Sequence, residues 1–397
     1  FKNKQFHYDE KFVSEYLPVT HCIEKILDVY KTFLNSSFGG VEQTIFEIAK
    51  GNETGFQHTV LSLAKNPQAS ESTYKGIKHI CYQEDFAIAS SSFSFSLWRD
   101  FNEIAQQADV IHYHFPWPFA DLLHVTSKVE KPSVVTYHSD IVRQKQLLFF
   151  YKPLMNRFLS TVDRIIATSP NYLASSNVLQ KYKDKVRIIP IGLDKSNYPT
   201  PSDEQYAYWH NRFGNRFFLF VGVLRYYKGL HILLEAMQNT TFPVLIVGAG
   251  PLEEELKASA AKLKLTNVHF LGRLSDNDKV ALLTLCLAVI FPSHLRSEAF
   301  GISLLEGALA GKPMISSEIG TGTSYINLDG ETGFVVPPSD PVSLRAAMQH
   351  LWDNPDLCVA MGEKAAIRYK ELFTGDKMVS GYEKIYKEII CNQTNSR

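Results

Sequence analysis

Apolar runs of strand length alternate with amphipathic stretches of helix length along most of the chain. In the first half the runs are Ile26–Phe33, His58–Leu63, Ile77–Tyr82, Val110–Phe115, Ser133–His138, Arg164–Thr168 and Val186–Ile191. Helical periodicity fills most of the gaps, as at Glu42–Lys50 and Leu97–Gln107. Strand then helix, repeated, predicts βαβ units and parallel sheets covered by helices. The rhythm lapses over the polar, Pro-containing residues 192–215. It restarts with Phe217–Leu224, Val244–Val247, Val268–Leu271, Ala288–Phe291, Met314–Ser317 and Gly333–Val336, and from about Pro341 to Ile390 only helices are expected. The expectation is an α/β chain of two doubly wound domains, residues 1–198 and 199–397, with a ligand in the cleft between them.

Composition narrows the function. The 397 residues exceed one ordinary core and suit two domains. Lys+Arg and Asp+Glu both number 41, which argues against a nucleic-acid binder driven by bulk charge. Any anion site must be local. Five scattered cysteines form no CxxC pair, give no metal spacing and fit a reducing compartment. No apolar run reaches the roughly 18 residues of a membrane span. Residues 1–20 show no signal-peptide core. A cytoplasmic location is expected.

The motifs that carry chemistry fall just after strands. Ser297–Glu306 reads SEAFGISLLE and is followed by GALAGKP. Here a strand ends, a loop carries Glu298, and a helix starts near Gly301, Ile302 and Ser303. A helix start with free N–H groups takes an anion. Glu298 and Glu306 on either side of it suit sugar and ribose hydroxyls, while Leu304, Leu305 and Ala308 belong in the core. Gly222–Gly229 (GVLRYYKG) is another strand end, with Arg225 and Lys228 at the cleft mouth. Cations there neutralise a diphosphate, although taken alone they read rather as solvated surface charge, the commoner fate of Lys and Arg. Val247–Pro251 is a GxG turn around Gly248 without the third glycine of a dinucleotide fingerprint.

In the first half, Gly39 and Gly40 follow the first strand and open a helix, allowing close backbone approach to a ligand. His138 ends another strand, where it can contact a sugar. His112 and His114 lie two apart on one strand and face one side, half of a metal site. No further ligands are evident, so no metal is expected and His114 is read as lining the cleft. Asp276-Asn277-Asp278 is a DxD, explained without metal by N-capping. The basic, aromatic segment Ile141–Leu159 could lie on an anionic membrane, but an ordinary packed helix interrupted by Pro153 is preferred.

Taken together and in order, SFGGVEQ, DVIHYHFP, TYHSD, RIIATSP, IIPIGLD, FVGVLRYYKGL, IVGAGP, FLGRLSD, FPS, SEAFGISLLEGALAGKP and ETGFVVP resemble the retaining glycosyltransferases of family 4. They span roughly Lys25 to Pro338. The resemblance implies the GT-B fold, two Rossmann-like domains facing across a cleft, with the last helix crossing back to the first domain. It implies Glu298 against the donor sugar and Glu306 on the ribose hydroxyls. The amides of Gly301, Ile302 and Ser303 would hold the distal phosphate, with Lys228 on the diphosphate. Gly39 and Gly40 would lie beside the diphosphate and His138 by the transferred sugar. Gly248 and Arg273 complete the expected donor set. The family's usual Arg follows the strand-end Gly directly, where this chain has Val223; Arg225 shares that face and is expected to replace it.

YKTF, GGVEQ, RYYKGL and EIGTGTSYIN further resemble bacterial mannosyltransferases of O-antigen and exopolysaccharide synthesis. That implies GDP-mannose as donor, a glycan or lipid-linked glycan as acceptor, no cofactor, and no nucleic acid. Peripheral contact with the inner face of the membrane stays open. The alternatives are a sugar-nucleotide epimerase on the same scaffold, which would need no acceptor, and a non-catalytic sugar-nucleotide-binding subunit.

Overall fold

The computed structural model describes residues 23–34, 39–50, 55–67, 70–88, 91–141 and 145–395. Cys22, the Ser37–Phe38 part of the glycine loop and Val142–Gln144 of the basic segment lie outside these.

The first lobe is built on β1 (Glu24–Val29), β2 (Phe56–Ala64), β3 (Glu71–Tyr74) and β4 (Ile77–Gln83), a small hairpin β5 (Phe86–Ile88) and β6 (Ser91–Phe93), then β7 (Val110–Phe115), β8 (Ser133–Tyr137), β9 (Arg164–Ala167) and β10 (Val186–Ile188). Its eight-stranded sheet has the order β10-β9-β8-β7-β1-β2-β4-β3. All its pairings are parallel except the edge strand β3 on β4. The second lobe holds β11 (Phe218–Val221), β12 (Val244–Val247), β13 (Val268–Gly272), β14 (Ala288–Phe291), β15 (Met314–Ser317) and β16 (Gly333–Val336). They form a parallel sheet in the order β13-β12-β11-β14-β15-β16. Every residue of β7, β8, β12 and β14 is buried, as expected of strands covered on both faces.

Several expected boundaries move. The apolar run Ile26–Phe33 stays in the sheet only to Val29; Tyr30, Phe33 and Leu34 turn away to pack with Ile45, Phe46 and Val60. The run from Val186 stops at Ile188. The run from Phe217 stops at Val221, where the Gly222 N–H still reaches Val247 O at 3.0 Å. The strands β3 and β6 are largely polar and β5 is only three residues long, too short for its apolar run to mark a strand. Residues 192–215 are not a plain linker: they contain the helix Asp203–Phe213, started by a capping box of Ser202 and Gln205. Pro153 does not interrupt its helix, which runs Lys145–Thr161. The ring is exposed, and the carbonyl it leaves unpaired belongs to exposed Phe149, within reach of water.

The chain passes between the lobes twice, and the two passages lie side by side. Leu193 and Thr374 form a parallel bridge. Leu193 N–H donates to Phe373 O at 2.9 Å and Gly375 N–H donates to Leu193 O at 2.9 Å. After the second passage the helix Gly375–Asn395 packs on the first lobe, against the helix Gly40–Lys50. No helix among the described residues is long and apolar enough to cross a membrane.

Candidate active site

The parallel part of each sheet reverses its strand order once, between β1 and β7 in the first lobe and between β11 and β14 in the second. Such points leave a crevice at the carboxyl ends of the strands. The side chains with reactive chemistry collect there.

In the second lobe the turn after β11 is drawn against the loop after β14. Gly229 has φ +71°, and a Cβ on it would lie 2.0 Å from Pro292 O. That close approach places the Lys228 ammonium on the Glu298 carboxylate. Ser293 Oγ donates to the same carboxylate oxygen at 3.1 Å. The pair is almost withdrawn from solvent, at 11% and 12% side-chain exposure, so its attraction is weakly screened. Lys228 Nζ also sits 4.7 Å from the centre of the Phe291 ring.

Past Glu298, Gly301 (φ +108°) opens the helix Ile302–Leu309, and no side chain caps it. Leu304 N–H turns back to Gly301 O at 2.9 Å, and the amides of Gly301, Ile302 and Ser303 before it have no partner among the described residues, as helix geometry leaves them. Ser303 Oγ donates to Val221 O at 2.7 Å and ties this end to β11. From the first lobe, Gly40 faces the same helix start: a Cβ there would lie 3.1 Å from Ile302 Cδ1. Gly39 adjoins Glu42, whose carboxylate accepts from Thr32 Oγ1 at 2.7 Å.

Glu306 lies one turn into the helix and is buried. Its carboxylate accepts from Lys279 Nζ at 2.9 Å and from Tyr198 OH at 3.2 Å. Burial alone would lower the Lys279 ammonium, but Glu306 and Asp276 more than offset this and hold its pKa above the usual value. Burial first, then the Glu306 charge, raises the Tyr198 phenol. Neither partner stood out in the sequence: Lys279 follows the DxD, and Tyr198 lies in the junction. The DxD forms the first turn of a helix capped by Ser275, whose Oγ accepts from Asp278 N–H at 3.1 Å.

Arg225 is exposed at the head of the Tyr226–Lys228 turn, while Val223 is 44% exposed. Lys31 of the first lobe is close enough to feel it: burial first, then the Arg225 charge, lowers the Lys31 pKa, against a pull from Glu42. Lys31 lies in the YKTF motif just beyond β1, but no sequence feature singled it out as a site residue. Gly248 has a packing role, since a Cβ on it would meet Gly222 O at 1.9 Å. Arg273 is exposed directly after β13.

In the first lobe His138 ends β8, its N–H donating to Phe115 O at 3.0 Å. His138 Nε2 lies 3.0 Å from His114 Nδ1, and His114 Nε2 lies 3.3 Å from Asp28 Oδ1. His114 therefore does not line the cleft; at 1% exposure it lies one layer below His138, because its strand is central and covered on both faces. Asp28 also meets His58 Nδ1 at 2.7 Å and His112 Nδ1 at 3.1 Å. Tyr386 OH lies 2.8 Å from His112 Nδ1, and His112 Nε2 lies 2.7 Å from Thr136 Oγ1. Thr136 in turn meets Tyr382 OH at 2.8 Å. Asp28, His112 and His114 each bring one ligand-type atom within 4.8 Å of the others, so a third candidate metal ligand exists that the sequence did not reveal. In this arrangement those atoms are already engaged in hydrogen bonds. Burial first, with neighbouring imidazoles, holds His138 well below its usual pKa, and burial likewise lowers His112 to about 3.

Between the lobes, Arg296 from the loop after β14 reaches Asp140 at 3.1 Å and Ser175 Oγ at 2.8 Å. Thus the structure brings Lys228, Glu298, Gly301–Ser303, Glu306 and Gly40 around the second switch point and its facing loop. His138 sits at the carboxyl end of β8.

Comparison with known proteins agrees with this architecture. Residues 38–197 match the model described as Glycosyltransferase Family 4, and residues 209–368 match Glycosyl transferases group 1. The chain is 56% identical over 353 residues to the D-rhamnosyltransferase WbpZ of Pseudomonas aeruginosa, covering 88% of this chain and 92% of that protein. It is 46% identical over 367 residues to the O-antigen chain mannosyltransferase C of Escherichia coli, covering 92% and 99%. Among solved structures, sucrose-phosphate synthase from Thermosynechococcus elongatus shares the fold, with a TM-score of 0.76, 18% identity, and coverage of 93% and 100%. On its two-lobed fold, its family matches and its close relatives, the chain is a glycosyltransferase with the GT-B fold and belongs to glycosyltransferase family 4.

Proposed function

We propose that the protein transfers a hexose of manno configuration from a GDP-linked donor to a hydroxyl of a growing O-antigen glycan, with retention of anomeric configuration. The observation that carries the reading is the Lys228–Glu298 pair beside the uncapped start of the helix Ile302–Leu309. An ammonium and a ring of amides suit a diphosphate, and the carboxylate suits sugar hydroxyls. Glu306, with Lys279 and Tyr198, offers a fixed acceptor for ribose hydroxyls. Arg225 and Lys31 add positive charge from the two sides of the cleft. In this reading the departing diphosphate is stabilised by these cations and amides, with no cofactor and no metal. The acceptor enters from the first lobe, where His138 faces the transferred sugar. The donor choice rests on the two relatives, one named a D-rhamnosyltransferase and the other a mannosyltransferase.

The test is a thermal-shift panel of GDP-, UDP- and ADP-linked sugars, with GDP-mannose and GDP-D-rhamnose side by side. A ligand at 100 times its Kd adds about 2.7 kcal/mol. Stabilisation confined to a GDP sugar supports the reading, and a response only to UDP or ADP sugars overturns it. Conversion of the sugar nucleotide without acceptor would point instead to an epimerase.

A further inference from the structure

Outside the donor site, a layer of buried histidines lies beneath His138. Asp28 is fully buried and its carboxylate is held well below the usual range: burial opposes ionisation, but His58, His112 and His114 outweigh it. An ionised carboxylate only accepts hydrogen bonds. His114 Nε2, 3.3 Å away, must therefore donate. Two further imidazoles crowd His114, with ring centres 4.2 Å (His112) and 5.3 Å (His138) away, and all three are buried. Burial outweighs the pull of Asp28 and holds the His114 pKa below its usual value, so the ring is neutral and its Nδ1 carries a lone pair. Among the described residues the group at that lone pair is His138 Nε2 at 3.0 Å, which must donate. His138 Nδ1 is then left bare. Among the described residues it has no hydrogen-bond partner.

We propose that Asp28 and His114 are positioning residues that fix His138 as the Nε2–H tautomer, presenting its bare Nδ1 as a hydrogen-bond acceptor to a substrate hydroxyl. This rests on the reading of His138 as the residue facing the transferred sugar. It assigns to His138 recognition of a hydroxyl, not proton donation to a leaving group. Tyr386 and Tyr382 brace the layer from behind through His112 and Thr136.

The test has three arms on the full chain. First, the ¹⁵N shifts of His138 in histidine-labelled wild-type protein should show Nε2 protonated and Nδ1 bare; the reverse overturns the proposal without any mutant. Second, Asp28→Asn and His114→Gln should lower the rate of GDP release from GDP-mannose or GDP-D-rhamnose about tenfold or more, with GDP affinity unchanged within twofold. Unchanged rates in both variants, with folding confirmed by a cooperative melt, overturn it. Third, if His138→Ala itself keeps the wild-type rate, it is the reading of His138 as sugar-facing that fails, whatever the tautomer.

Discussion

Lys279 Nζ stands 2.9 Å from Glu306 Oε1, closing a buried ion pair between two helices of the second lobe. Their side chains are 20% and 7% exposed. Removing one member of a buried pair leaves the other charge without compensation. Lys279→Met should therefore destabilise the protein by about 1–3 kcal/mol in urea unfolding. Adding Glu306→Gln should recover part of that loss, while the double variant still binds the nucleotide donor poorly. A fully additive double mutant would show that the two side chains do not interact.

Lys228 is expected to act on the leaving diphosphate. Lys228→Ala should lower kcat about 100-fold, the scale seen when one donor to a developing negative charge is removed. Steady-state kinetics with a GDP sugar measures this, and near-normal turnover would remove Lys228 from the reaction.

Gly248 fills a place that admits no side chain, since a Cβ on it would meet Gly222 O at 1.9 Å. Its φ of +133° is also unfavourable for other residues. Gly248→Ala should cost more than about 2 kcal/mol by forcing apart the loops that follow β11 and β12. A fall in Tm of several degrees, before any ligand is added, checks it. Loss of donor binding at unchanged Tm would instead give Gly248 a direct role at the donor.

Stability should fall on the acidic side of neutrality. Burial holds His112 at about 3 and His79 at about 4, against 6.5 when unfolded. Burial, with the charge of Lys185, holds His124 at about 4. Below pH 6.5 the unfolded chain takes up these protons and the folded chain does not, so unfolding gains at each step down. Each group contributes up to about 1.4 kcal/mol per pH unit until its folded pKa is reached. Urea midpoints should drop steadily from pH 6.5 to about 4.5; a flat profile across that range would mean these histidines are protonated in the folded protein.

The strands that the sequence placed residue for residue, such as Val244–Val247 and Ala288–Phe291, are buried on both faces, so an unbroken apolar run marks them. Ile26–Phe33 is just as apolar, yet its second half leaves the sheet for a separate cluster, and hydrophobicity does not distinguish two kinds of burial. The polar edge strand β3 gives no such signal, and the three-residue strands of the β5–β6 hairpin are too short to give one. At the site, Glu298, Glu306 and Lys228 were legible because they lie in short motifs after strands. Asp28 was not, because its histidine partner His114 is 86 residues away and only the adjacency of β1 and β7 joins them. Lys279 was hidden for a related reason: its neighbours explain themselves as a helix cap, and its partner comes from another helix.

The side-by-side passages at Leu193 and Thr374 have a consequence for motion. The connections are stitched into one ribbon, so rocking one lobe over the other bends a single flexure and does not shear two independent tethers. The helix Gly375–Asn395 would then travel with the first lobe. Tyr382 and Tyr386, although encoded far along the chain, would keep their grip on Thr136 and His112 in any such movement.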